Sequence, residues 1–162
     1  MKNTETSIIR DSQTPRAKLD EGGFHDLLGY QLAQASILAS ADFQREVGKP
    51  LGLGKVELTI LHLINQNASV TASKLARALA ISMPAITAWI SRLEQRGLLS
   101  REQNPKDRRS QNFCVTPEGD ALVSGAITSL LKAESQTLAH LSAAERAMLL
   151  ELLRKVARHR SA

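Results

Sequence analysis

Residues 71–97 read TASKLARALAISMPAITAWISRLEQRG, and the fold is decided by how this stretch is parsed. Leu75, Ala76 and Leu79 recur at helical spacing, which predicts a short helix over Ala72–Leu79. Ala80-Ile81 leaves room only for a tight connection. Ser82 carries the hydroxyl of an N-cap, and Pro84 falls in the first turn of a second helix, where a missing N–H is tolerated. Ile86, Trp89, Ile90 and Leu93 form the inward stripe of that helix, which runs to about Arg96. It stops at Gly97, a residue suited to the left-handed position after a helix end. A short helix bracing a longer one across a tight turn is a helix-turn-helix, a unit that lays its second helix in the major groove.

The flanking segments complete the unit. Upstream, Val56, Ile60, Leu61, Leu63 and Ile64 predict a helix over roughly Lys55–Gln66. Downstream, Leu98–Glu102 reads as a short strand, Gln103–Arg109 as a charged polar turn, and Gln111–Val115 as the returning strand. Phe113 and Val115 share one face of it, and Cys114 points the other way. The order is that of a winged helix-turn-helix, mainly α with a two-stranded β-wing. Further out, Phe24, Leu27, Leu28, Leu32, Ala35, Leu38 and Ala39 predict a helix from Phe24 to Val47, broken by Lys49–Gly54. Thr116-Pro117-Glu118 opens a helix reaching about His140. Ser142 and Glu145 form a capping box ahead of a last helix carrying Met148, Leu149, Leu152, Leu153 and Val156. Residues 1–23, with Pro15 and Gly22-Gly23, read as a flexible arm. The expected organisation is an arm (1–23), an N-terminal dimerisation helix (24–48), a winged DNA-binding region (49–119) and C-terminal dimerisation helices (120–162). The leucine-rich stripes of the outer helices exceed what a small winged domain can cover, so they are expected to pack on a second chain.

Charge is concentrated where the fold unit lies. The chain has 162 residues and a net charge of +5, and residues 49–115 alone carry +6. A localised basic surface is the electrostatic footprint of nucleic-acid binding. Cys114 is the sole cysteine, which excludes an intrachain disulfide and a CxxC metal site. His25, His62, His140 and His159 show no metal-ligand spacing. The chain has no GxSxG, Walker loop or GxGxxG, so no enzyme and no cofactor is expected. With no apolar run of membrane-spanning length and no hydrophobic leader, the expectation is a soluble cytoplasmic protein with no membrane partner.

From about Leu53 to Gly119 these pieces resemble the MarR family of bacterial transcription regulators. LGKVELTILHLI (53–64) is similar to its first winged-domain helix, Thr71–Leu79 to its second and Ser82–Gly97 to its recognition helix. Asp107-Arg108-Arg109 followed by Val115-Thr116-Pro117-Glu118-Gly119 looks like its wing signature. Gly54-Lys55 stands where many members have Thr-Pro, and the N-terminal arm is longer than usual. The resemblance implies a homodimer bound to double-stranded DNA. It also implies that Asp107 orients Arg109 toward the minor groove, where a narrow A·T-rich groove concentrates negative potential, with Lys106 and Arg108 beside it.

The outward face of the longer helix holds Ser82, Pro84, Ala85, Thr87, Ala88, Ser91 and Arg92. This face is small and nearly uncharged, as close approach to a groove requires. Arg92 alone on it offers a fork for guanine, while Ala85, Thr87 and Ala88 suit thymine methyls. Ser73, Lys74 and the helix start at Ser82 are the phosphate candidates. Trp89 is assigned to the core. The family pocket between the winged domain and the dimer helices implies a small effector, an aromatic carboxylate or similar amphiphile. His62 and Arg45 are its cationic candidates and Gln31 and Gln34 its polar ones. The expected function is a repressor released from a pseudo-palindromic operator by that effector. The alternatives are a winged-helix module that binds protein, or a redox- or metal-responsive regulator of similar fold.

Overall fold

The computed structural model describes residues 13–103 and 111–159. The chain divides into two compact units, up to Ala41 and from Asp42 onward.

In the first unit, residues 13–20 form a closed turn where the sequence suggested only a flexible arm. Polar side chains supply the missing bonds: Thr14 Oγ1 accepts the Leu19 N–H at 3.0 Å and donates to the Arg16 carbonyl at 2.6 Å. Ala17 and Lys18 take positive φ at its tip. A 3₁₀ turn, Gly22–Asp26, follows. Leu27 is extended, so helix α1 (Leu28–Phe43) begins four residues later than the apolar spacing predicts. Leu28, Leu32, Ile37 and Leu38 are exposed along it.

The second unit opens with the end of that helical run. A π turn, Gln44–Gly48, shifts the register, with the Lys49 N–H on the Gln44 carbonyl. This lets Lys49–Leu51 stay helical around Pro50, and the break comes at Gly52, φ +59°. Helix α2 (Lys55–Asn65) starts without a side-chain cap at Gly54. The Glu57 carboxylate instead reaches back to the Gly54 N–H at 2.7 Å. Helix α3 (Ala72–Leu79) is capped by Thr71, and Ala80 ends it in the left-handed region. Helix α4 (Met83–Gln95), strands β1 (Leu99–Gln103) and β2 (Gln111–Val115), and helices α5 (Pro117–Thr137) and α6 (Ala143–Arg158) follow.

The strands pair antiparallel from Leu99↔Val115 to Gln103↔Gln111. Val70 adds a bridge to β2, its carbonyl accepting the Phe113 N–H at 3.1 Å. The wing root is therefore tied to the segment ahead of α3. The core gathers Ile60, Leu61 and Ile64 of α2, Leu75 of α3, Ile86, Ile90 and Leu93 of α4, Leu98, Leu99 and Phe113 of the wing, and Val123 and Ala126 of α5. Trp89 is half-buried against this cluster, as expected of a core residue. Helix α6 starts with the capping box Ser142–Glu145 and buries no residue.

Candidate nucleic-acid interface

Helix α4 divides into two faces. Ile86, Ile90 and Leu93 are fully buried, which fixes its rotation about its axis. Ser82, Pro84, Thr87, Ala88 and Arg92 are exposed, and Ala85 and Ser91 are half-buried between the faces. The helix thus turns outward the small residues read from the sequence. Ser82 has extended N-cap backbone, but its hydroxyl makes no capping bond. Pro84 stands at the second helical position and has no N–H to offer it. That leaves an exposed hydroxyl at the positive end of the helix dipole. Ser73 and Lys74 open α3, and the Lys74 ammonium donates to the Ser69 carbonyl at 2.8 Å. The wing-tip candidates Lys106, Asp107, Arg108 and Arg109 lie outside the described residues.

Arg92 is exposed and ion-paired. Its Nη2 stands 3.0 Å from Oε1 of Glu57, a carboxylate buried at the start of α2. The sequence shows Arg92 as a free fork because the partner lies on another helix. Nearby, Arg96 donates to the carbonyls of Gly52 at 2.9 Å and Leu51 at 2.8 Å. Arg101 on β1 binds both Glu94 oxygens, Nη2 to Oε2 at 2.6 Å, and donates to Gln111 Oε1 at 3.0 Å. Sequence reasoning missed Glu57, Glu94, Arg96 and Arg101. The missing signal is long-range pairing, which side-chain spacing along one helix cannot reveal.

One turn locks α4 to α5. Thr116 Oγ1 accepts the Gly119 N–H at 3.1 Å and donates to the Gly97 carbonyl at 2.7 Å. A Cβ at Gly119 would collide with the Leu98 carbonyl oxygen. These contacts explain Val115–Gly119 physically: cap, proline at the first position, and a glycine for backbone approach.

The effector candidates are differently placed. In the first unit, Gln31 and Gln34 line a groove of about 540 Å³ with Thr14, Leu19 and Leu38. In the second, Arg45 is ion-paired, to Asp42 at 2.8 Å and Glu46 at 2.7 Å, with its side chain still more than half exposed. His62 is half-buried, and its Nδ1 is buried without a hydrogen-bond partner among the described residues.

The family model described as the MarR family matches residues 53–111. A candidate transcriptional regulatory protein for the hcr operon of Thauera aromatica is 29% identical over 145 residues, spanning 90% of this chain and 87% of that one. Among solved structures, the transcriptional repressor CouR bound to a 23-mer DNA duplex is similar at 30% identity and TM-score 0.78, over 87% of this chain and 99% of its own. BpsR of Bordetella bronchiseptica, whose DNA binding is regulated by 6-hydroxynicotinic acid, is similar at 28% identity and TM-score 0.73, over 83% of this chain and 95% of its own. The chain belongs to the MarR family.

As a MarR-family protein it is a DNA-binding transcription regulator and not an enzyme. For this MarR-family chain a redox trigger at Cys114 finds no support. Burial, and then the neighbouring Glu102 carboxylate, push the thiol above its ordinary range, away from the reactive thiolate. Among the described residues no group of three or more His, Cys, Asp or Glu gathers, and no helix is long and apolar enough to cross a membrane.

Proposed function

We propose that this regulator is a cytoplasmic homodimeric repressor that binds a pseudo-palindromic operator and leaves it when a small aromatic carboxylate binds. The observation that carries the DNA-reading part is the uncovered small face of α4, backed by the buried Ile86–Ile90–Leu93 stripe. Ser82, Pro84, Ala85, Thr87, Ala88 and Ser91 are the groove contacts, Ser73 and Lys74 the phosphate contacts. The wing residues Lys106, Asp107, Arg108 and Arg109 reach the flanking minor groove, a role that rests on the sequence. An exposed, small and nearly uncharged helix face favours this over a protein-binding winged helix.

Dimerisation is supported by exposed apolar side chains on the outer helices: Leu28, Leu32, Ile37 and Leu38 on α1, and Met148, Leu149, Leu152, Leu153 and Val156 on α6. A monomer leaving such stripes in water loses the burial that stabilises them. The effector class is supported by BpsR, regulated by an aromatic acid, and by the unpartnered His62 Nδ1. A carboxylate entering an apolar pocket requires such a donor. In the second unit His62 is the principal partner and Arg45, engaged by two acids, a weaker one; Gln31 and Gln34 stand as candidates from the sequence alone. Repression is supported by the likeness to CouR.

The test is fluorescence anisotropy of a bound duplex titrated with 6-hydroxynicotinate and substituted benzoates. Release at micromolar to millimolar acid is expected, with His62→Ala shifting release to higher concentration and leaving DNA binding intact. A panel that neither stabilises the free protein nor releases DNA overturns the effector class. A normal response of His62→Ala overturns the site alone.

A further inference from the structure

Two helix ends meet the C-terminal half of α4. Glu57, buried at the start of α2, divides its oxygens: Oε2 takes the Gly54 N–H at 2.7 Å, and Oε1 holds Arg92 Nη2 at 3.0 Å. One turn further along α4, Arg96 spans the carbonyls of Leu51 and Gly52 with its two terminal nitrogens, at 2.8 and 2.9 Å. Those carbonyls end the helical turn Lys49–Leu51. Carbonyls there lack partners within the helix and carry the negative end of its dipole, so a guanidinium is the fitting cap. Gly52 takes φ +59°, the left-handed backbone that follows a helix end.

We propose that Glu57, Arg92 and Arg96 form a latch that sets the angle of α4 against the Leu51–Gly54 turn, with both arginines acting as positioning residues and not as DNA contacts. The proposal rests on reading α4 as the helix that enters the groove. The buried carboxylate holds Arg92 on the side of α4 that faces the α2 start, and Arg96 is spent on two carbonyls of the same turn. Helix α4 has 13 residues, about 20 Å at 1.5 Å per residue. A tilt of about 10° at the latched end moves the base-reading end by roughly 3 Å, more than a base-edge hydrogen bond tolerates. The latch holds the last turn of the helical run that begins with α1, so displacement of that turn is delivered to α4. The coupling is therefore built from discrete polar contacts between named residues.

The experiment uses the full chain and a duplex that the wild type selects from a random 30-base-pair pool, with an unselected duplex as control. Glu57→Gln keeps an acceptor for the Gly54 N–H and removes the charge facing Arg92. Glu57→Gln, Arg92→Met and Arg96→Met are each expected to weaken binding of the selected duplex about tenfold. The unselected duplex and the salt slope should be unchanged. The double variant Glu57→Gln/Arg92→Met should bind no worse than the weaker single. Arg96→Lys, which keeps the charge but cannot span both carbonyls, should lose affinity at an unchanged melting temperature. Glu57→Gln binding as tightly as wild type or tighter overturns the latch, because a released Arg92 would then be contacting DNA. A salt slope lowered by about one in either arginine variant overturns it as well, since that marks a lost phosphate contact. A wild type that selects no duplex overturns the reading of α4 itself, and is seen before any variant is made.

Discussion

Asp42 is buried near the end of α1, where Thr137 and Arg45 both serve its carboxylate. The Thr137 hydrogen bond, more than the Arg45 pair at 2.8 Å, holds its pKa below the ordinary 3.8. A lowered folded value means that its contribution to stability is complete above the ordinary carboxylate pKa and is lost as pH falls through the lower folded one. Asp42→Asn is therefore expected to lower the melting temperature at pH 7, with the gap to wild type closing as the pH is taken below 3.8. A gap that persists in acid would show that shape and not charge matters there. At the same scale, Arg109→Ala should lose the most operator affinity of any single wing change and lower the salt slope by about one. Residue roles were only partly legible in the sequence. Ala88 and Thr87 could be placed outward because the helical period fixes their direction. Arg92 and Arg101 could not be told from free cations, because Glu57 and Glu94 meet them through folding and not through a motif, whereas Arg45 and Asp42 are a local pair three residues apart.

The elements were more legible, because each is written in local chemistry. Thr71, Thr116 and Ser142 sit where helices start, and each hydroxyl accepts an N–H of the first turn. The misreadings fall where backbone geometry overrides pattern. The apolar spacing from Phe24 continues through Leu28, yet extended Leu27 separates a 3₁₀ turn from the helix. Pro50 suggests a break, yet the π turn before it accommodates the ring. The Val70 bridge to Phe113 joins segments more than 40 residues apart, and no periodicity announces it. One element-scale prediction concerns the turn from the wing into α5. Gly119→Ala places a methyl against the Leu98 carbonyl oxygen and Val115 Cγ1, neither of which is a flexible chain end. It should destabilise the winged unit by about 1–3 kcal/mol, read from urea denaturation. Ile90→Ala, at the centre of the core, should cost about 2–5 kcal/mol. If Gly119→Ala is neutral, the turn is not the tight junction described.

At the scale of the whole molecule, the unused apolar surface and the helix proposed to read DNA make one claim together. Helix α6 has no fully buried residue, while six of its large apolar side chains are exposed. Two copies covering these stripes should bury more than the roughly 1,600 Å² of standard complexes. Sedimentation at micromolar concentration should show a dimer of the 17.7 kDa chain, and a clean monomer would remove the basis for a two-fold operator. A dimer presents two α4 helices, which must stand about 34 Å apart to enter successive major grooves on one face of the duplex. The most direct test is to let the wild-type protein select duplexes from a random pool and to sequence the survivors. The account predicts an inverted repeat with half-site centres about 10–10.5 base pairs apart, flanked by A·T-rich steps where the wings lie, and lost in Thr87→Glu. Selection of a single unrepeated site, or of no site at all, would contradict it.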